Sequence, residues 1–350
     1  MPGVSFKFLI ARLWFVIPLF YVAGHFFKSS VFIKKYLWLY IIPLIFVIFY
    51  NLNNHISIGI FIKNAAHGAM KPFYNDHTSY GAILAMFIPV LIGFLFLKEY
   101  SGRIKFLISG LLFLFIFSVI FSYTRAAWIG LLAAGGVWVI LLLKINGKIL
   151  LFGSITLISF FFIFQFEITD TLKKNKQDSS EDLSEHVSSI TNIATDASNL
   201  ERINRWNSAF KMFNEKPILG FGPGTYMFQY APYQMSFDRT IISTDFADGG
   251  NAHSEYIGPL AESGILGTLT FLAILVTTIF TGVKVFYQSK NRELKVVALS
   301  SLLGLITYYI HGFLNNFLDT DKASVPFWGF TAIIVAADIF HQKHQSDVKN

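Results

Sequence analysis

An all-α polytopic membrane protein is the fold class that this sequence predicts, and three observations predict it. Hydrophobic residues make up 54% of the 350 positions and charged residues only 14%, against about 25% charged in an ordinary soluble domain. Apolar runs close to the ~20 residues that a bilayer-crossing helix needs recur along the chain. One long polar stretch, residues 167–253, interrupts them and holds 12 of the 21 acidic residues. A chain with so few charges cannot clothe a water-facing surface, so soluble, disordered and fibrous classes are excluded. The absence of Cys excludes disulfide frameworks, thiolate catalysis and Cys-based zinc sites.

Taken in order, the apolar runs place about nine transmembrane helices near 8–27, 36–50, 78–97, 104–122, 126–143, 148–166, 264–286, 296–315 and 324–340. The first is too long for the apolar core of a signal peptide and lacks a small-residue cleavage site, so it reads as a span. Three segments follow: N-terminal helices over 1–166, a large periplasmic loop over 167–253, and C-terminal helices over 254–350. Lys and Arg set the orientation, because short cytoplasmic loops collect them. Short segments of one sidedness hold 14 of the 28 basic residues, and those of the other hold 5. This split places the C-terminus in the cytoplasm and the large loop outside. The net charge of +7 is therefore mostly topological, and nucleic acid is not an expected partner.

Within the loop, Lys173–Ser189 is polar. Ser198-Asn-Leu-Glu201 then has the form of a capping box that starts a helix. Ile203, Trp206, Phe210 and Phe213 follow at helical spacing, making this helix amphipathic and suited to the membrane surface or to the span bundle. Arg202 and Arg205 project from one flank of it. Pro217-Ile-Leu-Gly-Phe-Gly-Pro-Gly-Thr225 reads as a structural turn. Pro223 removes one N–H donor, and no strand precedes the segment as a dinucleotide fingerprint requires. Asn251-Ala-His253-Ser-Glu255 closes the loop. Glu255 and Glu262 are charges at or near the membrane, where ionisable groups are expensive and mark function. Arg125 sits between two apolar runs in Ser122-Tyr-Thr-Arg-Ala-Ala-Trp128. Its guanidinium either snorkels or meets an anion bidentately.

The order of these strings resembles the O-antigen ligase family, which includes O-antigen polymerases and bacterial O-linked oligosaccharyltransferases. S-x-T-R-A-A-W-I-G opens a span, and a long loop then carries R-x-x-R-W, P-I-L-G-F-G-P-G-T-Y and N-A-H-S-E-Y, followed by L-A-E-S-G-I-L-G. The resemblance covers roughly residues 75–315. It implies a multi-span glycosyltransferase in the bacterial inner membrane that moves a glycan from undecaprenyl diphosphate to an acceptor such as lipid A–core. By position it marks His253 and Arg125 as catalytic and Arg202 and Arg205 as diphosphate-binding. Asn251 and Glu255, beside His253, are expected to bind substrate. Membrane lipids are further partners. Many polymerases and protein ligases of the family carry a His-x-His pair where this chain has Asn251-Ala-His253.

The chemistry asks for arginines to stabilise charge growing on the diphosphate and for a base to take the acceptor proton. No cofactor is expected. Asp245, Asp248, Asp319 and Asp321 lie in separate loops without ligand-like spacing, so no metal is expected either. A surface polysaccharide polymerase and a small-anion transporter of the bicarbonate type are the alternative readings.

Overall fold

The computed structural model describes residues 1–145, 197–240, 243–244 and 250–347. The span expected over 148–166, the polar stretch Lys173–Ser189, Asp245 and Asp248 lie outside these. Among the described residues there are helices and turns and no strand, and eight helices are long and apolar enough to cross a membrane. In chain order the spans are α1 (Pro2–Phe26), α2 (Ser30–Ile58), α3 (His77–Leu95), α4 (Gly102–Ile120) and α5 (Arg125–Leu142), then α7 (Ile257–Gln288), α8 (Arg292–His311) and α9 (Asp321–Asp347, of which Asp321–Ile339 is the apolar part). The loop helix α6 runs over Ala197–Glu215. The protein is an all-α polytopic membrane protein.

Apolarity all round a helix means burial inside a bundle, and α3 is that helix. Nearly every residue from Ser79 to Phe94 is buried. Helices α4, α5 and α8 pack around it, and α9 packs on α8. Between spans the lipid removes the hydrophobic drive, so close packing must hold helices together. Gly304 of α8 meets this need: a methyl group there would sit 2.5 Å from the Met86 carbonyl oxygen of α3. Aromatic rings fill wider gaps, as where Tyr40 of α2 stacks on Phe87 of α3 at 4.7 Å.

Two spans differ from expectation. Helix α2 has 29 residues and continues through Asn51 and His55, both buried, where the apolar run had ended. Helix α7 begins at Ile257 rather than near 264, because it absorbs Glu262 by breaking at Gly264 (φ 61°, ψ −162°). Only glycine adopts this backbone readily. The opened turn exposes backbone groups that lipid cannot satisfy. The Pro217–Tyr226 turn satisfies them. Phe221 N–H donates to Ala261 O at 2.9 Å, Gly222 N–H to Glu262 O at 2.8 Å, and Ile265 N–H to Pro217 O at 2.8 Å. The Glu262 carboxylate closes the junction by accepting from the Gly224 and Tyr226 N–H groups, each at 2.9 Å. The glycine-rich segment is thus the structural turn that its sequence predicts, built to mend a broken span.

Helix α1 carries a π-helical stretch at Ile17–Val22, starting beside Pro18. It leans on α9, and its first turns lie against the backbone of Gly222 and Gly224. The start of α1 therefore shares one end of the bundle with α6, the 217–226 turn, and the starts of α3, α5, α7 and α9. At the opposite end, Lys34 bridges Glu99 and Glu293 at 2.5 and 2.8 Å.

Candidate active site

The loop helix α6 positions the site, and it lies the other way round from a simple amphipathic helix. Glu201, Asn204, Arg205, Ser208, Ala209 and Met212 are its buried face. The apolar stripe, suited to the membrane surface or to the span bundle, is the less buried face: Phe210 is 43% exposed, and Ile203, Trp206 and Phe213 are half-buried. Glu201 is drawn into the buried face. Its carboxylate accepts from Arg205 Nε at 2.7 Å, from Thr240 Oγ1 at 2.8 Å and from Ser243 Oγ. Burial alone would raise this carboxyl, but those hydrogen bonds from Ser243, Thr240 and Arg205 bring it below the usual range. A buried ion pair inside a satisfied polar network fixes one arrangement of the chain.

Arg205 carries that arrangement to the end of the loop. Its Nη1 donates to the Asn251 carbonyl at 3.3 Å, and its guanidinium lies 5.0 Å from the centre of the Tyr230 ring. Asn251 then turns its own side chain back on the chain, and Oδ1 accepts the His253 N–H at 3.0 Å. His253 is held at φ 47°, in the left-handed region that few non-glycine residues occupy. A conformation of that kind costs about 1–3 kcal/mol, persists only where the surroundings impose it, and clusters at functional sites. Burial first, and then the charges of Arg202 and Arg205, push the His253 imidazole down to about 4.

Arg202, half-buried, donates Nε to the Leu314 carbonyl at 3.0 Å, in the loop between α8 and α9. Glu255 is tied to the same loop. It accepts from Tyr308 Oη at 2.6 Å and from Leu318 N–H at 2.9 Å, and its own N–H donates to Gly312 O. Burial raises its carboxyl. Arg125 opens α5 directly after a buried turn, in which Thr124 Oγ1 donates to His77 O at 2.9 Å and His77 Nδ1 lies 2.8 Å from Ser122 O. That turn pins the start of α5 to the start of α3, where Asp76 caps the helix by accepting from the Thr78 and Ser79 N–H groups. Asp76 also lies within electrostatic reach of His253. Arg202, Arg205, Asn251, His253 and Glu255 thus gather in one region, and Arg125 opens its helix at the same end of the bundle. Among the described residues, no group of three His, Asp or Glu side chains stands ready to hold a metal.

One residue of this region stands outside the family strings. Arg12, in the first span, donates Nη1 to Leu318 O at 2.5 Å and forms an ion pair with Asp319. With Glu255 and Glu262 it lines a 480 Å³ cavity. An Arg inside an apolar run is the signal that marks such a position in a sequence.

The sequence model of the family described as O-antigen ligase matches residues 110–272. The chain carries an O-antigen ligase family segment. This segment runs from within α4 to the middle of α7. It contains Arg125, the whole of α6, the His253 turn and the Glu262–Gly264 break, whereas their partners His77, Tyr308, Leu314 and Leu318, and Arg12 with Asp319, lie outside it. A protein of Haemophilus influenzae, described only as an uncharacterized protein, is 24% identical over 277 residues. That similarity covers 77% of this chain and 66% of the relative.

Proposed function

We propose that this chain transfers a glycan from undecaprenyl diphosphate to an acceptor hydroxyl at the periplasmic face of the bacterial inner membrane, with lipid A–core as the acceptor. The observation that carries the reading is His253. It is a neutral imidazole in a constrained backbone, within electrostatic reach of Arg202, Arg205 and Asp76, inside the ligase-family segment. In the proposed step the acceptor oxygen bonds to the anomeric carbon as the bond from that carbon to the diphosphate oxygen breaks. His253 takes the hydroxyl proton. Undecaprenyl diphosphate leaves with the electron pair, and Arg125 and Arg202 stabilise the charge it gains. Arg205, engaged by Glu201 and Asn251, positions the turn that carries His253. The reading routes no step through a metal or cofactor. It places the C-terminus in the cytoplasm, on the strength of the basic-residue count.

Arrangement at one end of the bundle supports transfer over transport, since transporters place their sites at mid-membrane breaks. The test is His253→Ala with purified protein and synthetic lipid-linked donor. A general base contributes about 10²- to 10⁴-fold, so transfer falls by that order while donor binding survives. Transfer at the wild-type rate would remove His253 from the mechanism.

A further inference from the structure

At the end of the bundle opposite the His253 turn, a 620 Å³ groove opens between α2 and the start of α4. Aromatic packing holds these two helices apart. Trp38 of α2 stacks on Phe94 of α3 at 5.3 Å and donates Nε1 to Tyr100 Oη at 3.0 Å, just ahead of α4. Val31, Leu39, Ile42 and Ile104 make apolar walls around these rings, and all four are exposed. Trp and Tyr are the side chains that sit at headgroup level, with the ring in hydrocarbon and the polar tip in water.

The groove continues as a track along α2. Leu39, Ile42, Phe46 and Phe49 follow Lys35 at alternating steps of four and three, which places them in one stripe down the helix. Each of the four is exposed, Leu39 by 73% and Phe46 by 72%. A contiguous exposed apolar stripe of this kind marks a surface that meets lipid or another protein.

Charge decides the occupant. The segments that frame the groove, Lys28–Lys35 and Lys98–Lys105, hold six basic residues and one acid, Glu99. Lys34 engages that acid and also Glu293 at the start of α8. Lys35 and Arg103 form no ion pair among the described residues. Lys35 Nζ lies 5.4 Å from the centre of the Phe32 ring, and Arg103 adjoins Ile104 in the first turn of α4. A phosphate at the mouth of the groove therefore meets cations without carboxylate partners, and an acyl chain hanging from it meets the stripe. A free anion would leave the stripe bare, and a lipid without net charge would leave those cations unmatched.

We propose that this groove holds one anionic phospholipid, with its phosphate on Lys35 and Arg103 and an acyl chain along Leu39, Ile42, Phe46 and Phe49. In the proposed orientation the lipid belongs to the cytoplasmic leaflet. It bridges α2 and α4, which touch little directly. The inference is independent of the transferase reading, because no residue of the groove belongs to the candidate active site.

Brominated acyl chains quench tryptophan on contact, so Trp38 reports the occupant. The full chain is reconstituted in phosphatidylcholine vesicles that carry a minor fraction of brominated phosphatidylglycerol or, separately, the same fraction of brominated phosphatidylcholine. The Trp38 signal is the difference between the wild type and Trp38→Phe, which keeps a ring on Phe94. Brominated phosphatidylglycerol quenches that signal several-fold more than brominated phosphatidylcholine. A basic side chain near an anionic lipid is worth about fivefold in binding, the equivalent of ~1 kcal/mol. Lys35→Gln with Arg103→Gln, both on exposed side chains, therefore lowers the preference by about fivefold or more. If Trp38→Phe does not fold, Leu39→Trp at the exposed start of the track supplies the signal as a gain. Equal quenching by the two lipids would mean ordinary surrounding lipid and overturn the proposal. Quenching by neither would mean that protein covers the groove, and a preference unchanged in the double variant would remove the cations from it; either result overturns it as well.

Discussion

Asn251 Oδ1 accepts the backbone N–H of His253 at 3.0 Å, closing a turn two residues long that holds His253 at φ 47°. Side chains of this kind stabilise local turns by such bonds to the backbone. Asn251→Ala removes the acceptor, and kcat for glycan transfer falls moderately, by about fivefold, which is what the loss of a ~1 kcal/mol hydrogen bond at the reacting group amounts to. Asn251→Asp keeps an acceptor oxygen and retains more activity than the Ala variant. Equal rates for the two variants would show that the turn does not govern His253.

The pH profile follows from the charges around the imidazole. Burial and the nearby arginines disfavour the protonated ring, so in the free enzyme His253 stays a neutral base down to about pH 4. The acid limb of kcat/KM, which reports the free enzyme, therefore lies well below the ordinary imidazole value. A bound diphosphate offsets the arginine charge and lets the ring hold its proton more readily. The acid limb of kcat therefore lies at higher pH than that of kcat/KM. Coincident limbs near the ordinary imidazole value would contradict this account.

Arg125→Lys keeps the charge and loses the planar fork. If Arg125 grips the diphosphate bidentately, the Lys variant transfers glycan at least tenfold more slowly. Full activity would make Arg125 an interface anchor that does no more than begin α5.

Gly264→Ala tests the mended span. A methyl group at this position would stand 2.3 Å from the Ile218 carbonyl oxygen, on a backbone at φ 61° that favours glycine. The strain alone is about 1–3 kcal/mol. The substitution lowers thermal stability in detergent, and it exposes the 217–226 turn to protease because Phe221 and Gly222 lose their partners in α7. An unchanged melting temperature would mean that the break in α7 is not held by that turn.

Composition and apolar run length determined the membrane class and the eight spans described, each to within a few residues at most ends. The order of polar strings likewise marked which residues meet at one end of the bundle. Tertiary structure alone decided how they meet. Helical spacing identified the stripe Ile203, Trp206 and Phe210, but spacing says only which residues share a face, not which medium that face meets. Around α6 the inward medium is polar, because Glu201, Asn204 and Arg205 find Ser243, Gln234 and Asn251 there. The break in α7 was equally hidden. Glu262-Ser-Gly264 reads as an interruption of an apolar run until the Pro217–Tyr226 turn, some forty residues earlier, supplies its hydrogen bonds. Arg12 needed the fold as well, since only packing of α1 against the loop before α9 brings it to Asp319. Local pattern encodes the elements, whereas the partners of a buried polar group lie far along the chain and become neighbours only when the bundle closes.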